Sequence, residues 1–102
     1  MSQQLTVIAK FTAKPDHADA VGAGLLGQLD QTRDEAGSID YHLHRDLDDP
    51  AIWIVYENWR SRADFDAHLE QPYSAALRDR FPEMLAKEIE LTFCSMVSTR
   101  PV

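Results

Sequence analysis

Trp53-Ile54-Val55-Tyr56-Glu57-Asn58-Trp59, followed by Arg60 and then by Ser61-Arg62-Ala63-Asp64-Phe65-Asp66-Ala67-His68-Leu69, holds the transition that decides the fold. The first half is almost wholly β-branched and aromatic, which suits a pleated strand. The second half opens with Ser61 three residues before Asp64, the spacing of a capping box, and continues with Phe65, His68 and Leu69 on one helical stripe. The stretch therefore reads as a strand running into a capped helix.

Alternation places Trp53, Val55, Glu57 and Trp59 on one face of that strand and Ile54, Tyr56 and Asn58 on the other. The first face puts a carboxylate between a valine and a tryptophan. A bare buried carboxylate costs several kcal/mol, so Glu57 must be paired, hydrogen-bonded or partly neutralised. If the Phe65/His68/Leu69 stripe packs back on the sheet, His68 points into the region of Glu57 and Trp59.

The rest of the chain supplies matching elements. Leu5 to Thr12 alternates as a first strand with Leu5, Val7, Ala9 and Phe11 on an apolar face. From about Asp16 the spacing Ala18, Val21, Leu25, Leu29, Thr32 and Ala36 predicts one helix, which Gly37 would end as a C-cap. Gly22-Ala23-Gly24-Leu25-Leu26-Gly27 matches a G-x-G-x-x-G string but lies within that helix, not directly after a strand, so a dinucleotide site is not indicated. Small residues there would let the helix lie close to the sheet or leave room for a bound molecule.

Ser38 to Asp46 reads as a second strand, with Ile39, Tyr41, Leu43 and Arg45 against Asp40, His42, His44 and Asp46. Leu47-Asp48-Asp49-Pro50 turns it into the Ile52–Trp59 strand as an antiparallel hairpin. The two histidines and two aspartates have metal-ligand chemistry, but a solvated or subunit-facing polar strand face explains them as well. After Gln71-Pro72, Leu77, Phe81 and Leu85 mark a further helix that should kink or end near Pro82. Arg78 and Arg80 read as a solvated face from which either could reach a carboxylate. Alternation returns from Glu88 through Ile89, Leu91, Phe93, Ser95 and Val97 as a fourth strand. Cys94 is alone, so neither an intrachain disulfide nor a cysteine metal site is available, and it reads as a small buried apolar strand residue.

The order is β-α-β-β-α-β, an α+β ferredoxin-like arrangement with a four-stranded antiparallel sheet carrying its helices on one face. At 102 residues, 44% hydrophobic and 26% charged, the chain suits a single domain over residues 1–102. Its net charge of −7 argues against nucleic acid and against a basic membrane patch. Neither a leader at Met1-Ser2-Gln3-Gln4 nor a long apolar run is seen, so a cytoplasmic protein is expected. The uncovered face, with Ile52, Ile54, Tyr56 and Asn58, is apolar enough that a second copy should cover it, which predicts a homodimer with facing sheets.

Tyr41, Asp48-Asp49-Pro50, Val55-Tyr56-Glu57-Asn58-Trp59-Arg60-Ser61, Phe65, Ala67-His68-Leu69 and Pro72-Tyr73 together resemble the antibiotic biosynthesis monooxygenase (ABM) domain, including its small quinol-monooxygenase-like bacterial members. The resemblance covers roughly Leu5 to Val97. It implies a dimeric α+β barrel with a pocket between sheet and helices in each subunit. It also implies oxidation of a small aromatic or quinol by O₂ without metal, flavin or haem. On the matching positions, Trp59 would be a wall and hydrogen-bond donor, His68 the candidate base, and Glu57 its partner or the base itself. Tyr41, Tyr73, Phe65 and Phe81 would line the substrate. An isomerase of a small carbonyl compound and a non-catalytic dimeric ligand-binding protein are the alternatives, and Glu57 and His68 would also suit a purely structural bond between helix and sheet.

Overall fold

The computed structural model describes residues 4–98, so the chain-start reading at Met1-Ser2-Gln3 lies outside the described residues. The elements are β1 (Leu5–Thr12), α1 (Ala18–Gly27), α2 (Leu29–Arg33), β2 (Ser38–Arg45), β3 (Ile52–Trp59), α3 (Arg62–Glu70), α4 (Pro72–Met84) and β4 (Glu90–Ser95). The sheet order is β2-β3-β1-β4, and every neighbouring pair is antiparallel. This is the expected ferredoxin-like architecture.

Register decides which side chains meet. Val7 lies opposite Glu57 and Phe93, Ala9 opposite Val55 and Leu91, and Tyr41 opposite Glu57. Their shared face packs under the helices, where Val21, Leu25, Phe65, Leu77 and Phe81 close the core. On the opposite face Asn58 is also buried, held by Thr6, Asp40 and Tyr56. Its Oδ1 accepts from Thr6 Oγ1 at 2.5 Å, and its Nδ2 donates to Asp40 Oδ2 at 3.0 Å and to the Tyr56 hydroxyl at 2.9 Å.

Four boundaries differ from the sequence reading. The single helix expected from Asp16 breaks at Gln28, whose φ of −104° and ψ of 2° leave the helical basin as its side chain turns inward. Gly37 caps nothing, because α2 already ends at Arg33 with Asp34 as its cap. Gly37 is needed for proximity instead: a Cβ there would sit 2.3 Å from Asp64 Cβ, and its carbonyl accepts the Arg60 N–H at 2.8 Å. β4 runs Glu90–Ser95 rather than Glu88 to Val97, since its partner β1 offers ladder positions only from Lys10 back to Leu5. β2 stops at Arg45, and Asp46 turns the chain by accepting the N–H groups of Asp48 and Asp49 at 2.8 and 3.0 Å.

Other expectations hold in detail. Pro82 lies inside α4, which ends two residues later at Met84. Within α1, a Cβ on Gly22 would stand 2.3 Å from the Trp53 ring, so the glycine lets helix and sheet approach closely. Cys94, expected to be a buried strand residue, is only partly buried, because β4 is an edge strand.

Candidate active site

The helix that carries His68 is fixed at its start. Ser61 Oγ accepts the Asp64 N–H at 3.2 Å and donates to Asp64 Oδ2 at 3.0 Å, while Arg60 clamps the same carboxylate at 2.8 and 3.0 Å. With its first turn held, α3 turns Phe65 and His68 inward onto the sheet. Both are buried.

Between them and β1, β2 and β3 lies a cavity of about 130 Å³. Phe11, Leu25, Phe65, Leu77 and Phe81 make most of its wall apolar, and Gln28, Tyr41, Glu57, His68, Ser74 and Arg78 supply polar groups. Three of the four residues expected to line a substrate, Tyr41, Phe65 and Phe81, are on this wall. Tyr73 is not. It stands outside, along a groove shared with Gln31, Asp34, Glu35, Gln71 and Pro72.

His68 is paired, but with Glu35 rather than Glu57. His68 Nδ1 lies 2.7 Å from Glu35 Oε2, and the Tyr73 hydroxyl donates to that same oxygen. Glu57 instead accepts the Trp59 indole N–H at 2.8 Å. The reason is local: Glu57 and Trp59 are two residues apart on one strand face, and the Trp59 ring stacks against His68 with centroids 4.9 Å apart. Trp59 is therefore not the cavity wall; fully buried, it backs His68 from behind.

The electrostatics follow from burial. Removal from water pushes the Glu57 carboxyl up to about 7; the Trp59 N–H draws it back somewhat and the negative Glu35 raises it further. Burial, followed by the charge of Glu57, raises the Tyr41 phenol well above its usual range, so Tyr41 stays a neutral hydroxyl. That hydroxyl accepts from Gln28 Nε2 at 3.0 Å, while Gln28 Oε1 is buried and has no hydrogen-bond partner among the described residues. Arg78 places its cation on the wall, held by Ser74 Oγ at 2.6 Å and by the Leu69 carbonyl.

Glu35, Gln28 and Arg78 were not singled out from sequence. Arg78 was expected on a solvated face, able to reach a carboxylate; it is half-buried on the cavity wall instead and meets the Ser74 hydroxyl and the Leu69 carbonyl, because α4 turns that side toward the sheet. Gln28 lies between two stretches of an apolar helical stripe, and Glu35 lies in a turn. Among the described residues no three His, Cys, Asp or Glu side chains converge as a metal set; on β2, Asp40 and His42 approach only to 3.8 Å. No helix among them is long and apolar enough to cross a membrane.

Comparison with known proteins agrees with this fold. The family described as "Antibiotic biosynthesis monooxygenase" matches residues 4–80, and the chain belongs to that family. Rv0793 of Mycobacterium tuberculosis is 30% identical over 92 residues, covering 90% of each chain, and its solved structure superposes with a TM-score of 0.90 over 96% of this chain and 99% of that one. PA3566 of Pseudomonas aeruginosa superposes equally well, with a TM-score of 0.90 at 28% identity, covering 96% of this chain and 98% of its own. The Synechocystis protein sll1783 is 27% identical over 94% of this chain, which spans 65% of that protein's length.

Proposed function

We propose that this chain is a monooxygenase that oxidises a single-ring phenol or quinol with O₂ in the cavity between sheet and helices, without a metal, flavin or haem. The observation that carries the reading is His68: Nδ1 is tied to a carboxylate and Nε2, with no protein partner among the described residues, remains for a molecule in the cavity. The volume sets the scale of that molecule. A cavity near 150 Å³ admits one benzene ring, so about 130 Å³ suits one ring better than a fused polycycle.

The chemistry then needs only a proton acceptor and a counter-charge. His68 Nε2 takes the phenolic proton, and the Arg78 guanidinium balances the negative oxygen in a wall that is otherwise mostly apolar. The electron-rich ring passes electrons to O₂ one at a time, and a carbon–oxygen bond forms to give a ring hydroperoxide. Its O–O bond breaks as water leaves, and the ring becomes a hydroxyquinone. Quinol plus O₂ thus gives hydroxyquinone plus water. All four electrons come from the substrate, so no further reductant enters the balance.

Two copies joined across the open sheet face complete the reading, since Ile8 and Tyr56 are both exposed there. The test is O₂ consumption by chelator-treated protein over single-ring quinols and fused polycyclic phenols. Substrate-dependent uptake confined to the single-ring members, and falling at least tenfold in His68→Ala, is the expected result, a loss of about 1.4 kcal/mol of transition-state stabilisation. A folded protein with no uptake on any member would sink the oxygenase reading.

A further inference from the structure

His68 lies between two spaces that have no lining residue in common. Its ring lines the inner cavity, its side chain is only 5% exposed, and it is enclosed by Trp59 at 4.9 Å, Tyr41 at 5.9 Å and Tyr73 at 6.2 Å between ring centroids. Its Nδ1 leads to Glu35, which lines the outer groove and is 14% exposed. Glu35 is thus a contact between the buried imidazole and the outer groove.

The backbone holds that contact in place. Glu35 stands in the turn after α2, where its N–H donates to the Thr32 carbonyl at 3.1 Å and its carbonyl accepts the Ser38 N–H at 3.0 Å. Its Oε2 is fixed from both sides by His68 and Tyr73, while its other oxygen has no hydrogen bond to the described residues. Two donors on one oxygen and none on the other is a poor arrangement for maximum fastening. It suits a group that exchanges protons with water in the groove.

We infer that Glu35 is the proton port of the cavity, holding His68 as the Nδ1–H tautomer and carrying protons between the ring and the outer groove. The role rests on the proposed reading for its use in turnover, but not for its existence. In that use the substrate O–H bond breaks and its proton bonds to Nε2. The Nδ1–H bond then breaks, its electron pair stays on the ring, and that proton passes to Glu35 Oε2 and on to groove water. The path runs in reverse when the breaking O–O bond needs protons to leave as water. Glu35 is thereby a positioning and relay residue, since it reaches the substrate only through His68.

Nitrogen NMR of the His68 imidazole in the whole protein, without ligand, tests this directly. The expected result is an Nδ1–H, Nε2-bare ring, whose ring proton exchanges with solvent at least tenfold more slowly in Glu35→Gln, while Tyr73→Phe, which leaves the Glu35–His68 contact in place, changes the rate by less than threefold. An Nε2–H ring in the unaltered protein, or exchange in Glu35→Gln as fast as in the unaltered protein, would overturn the inference. Where a quinol is turned over, Glu35→Gln lowers kcat at least tenfold with KM within twofold. Absence of turnover in the unaltered protein removes the oxygenase reading and leaves the exchange measurement to decide the port.

Discussion

Glu57 and Asn58 are neighbours in the chain, are both buried, and face opposite sides of β3. Asn58 is fully engaged: its oxygen accepts from Thr6 and its nitrogen donates to Asp40 and Tyr56. Glu57 accepts one hydrogen bond, from Trp59, and otherwise meets a mostly apolar cavity wall. The difference separates a polar group that ties strands together from one whose ionisation is left open to its surroundings. A satisfied amide stiffens the sheet, whereas an under-solvated carboxyl titrates near neutrality and responds to whatever enters the cavity.

That contrast can be broken by changing each residue in turn. The largest effect is expected from pH acting on Glu57. Its carboxyl titrates at 4.5 when solvated and at about 7 when folded, so the folded state holds the proton more tightly. Stability is therefore full below 4.5 and falls as pH rises toward about 7, by ~3 kcal/mol at 1.36 kcal/mol per pH unit. Chemical denaturation across that range should show the fall in the unaltered protein and lose it in Glu57→Gln; equal slopes in both would remove Glu57 from the explanation.

A smaller loss is expected on the other face. Asn58→Leu leaves Thr6, Asp40 and Tyr56 without their shared partner and should destabilise by about 2 kcal/mol, with phenol binding in the cavity unchanged within twofold. Weaker phenol binding at unchanged stability would show that the two faces are not independent. The smallest expected effect is a shift in titration: Trp59→Phe removes the one hydrogen bond that the Glu57 carboxyl accepts. Because the indole N–H holds the Glu57 carboxyl down, its loss should move the carboxyl infrared band to titrate above about 7.

Local chemistry made much of this legible in the sequence. β1 and β3 fall where period-two alternation put them, and the Ser61–Asp64 cap forms as its spacing required, because each depends on residues within a few positions of one another. Alternation also placed Glu57 beside Trp59 and kept Asn58 on the far side of the strand. Gly37 shows where that reasoning ends: a glycine after a helical stripe resembles a cap, but its need here comes from Asp64 pressing on it across the fold.

The partner of His68 lay beyond sequence reasoning altogether. Glu35 is 33 residues away from His68 and 38 from Tyr73, in a turn with no periodicity, whereas Glu57 is nearer to His68 only along the chain. By itself the sequence determined the element order, the strand faces and the inward turn of α3, since these follow from alternation, helical spacing and capping. Only the tertiary structure decided which carboxylate meets the imidazole, that Arg78 faces inward and that Tyr73 stays outside, because these depend on how α2, α3 and α4 are set against the sheet, and no local period encodes that placement.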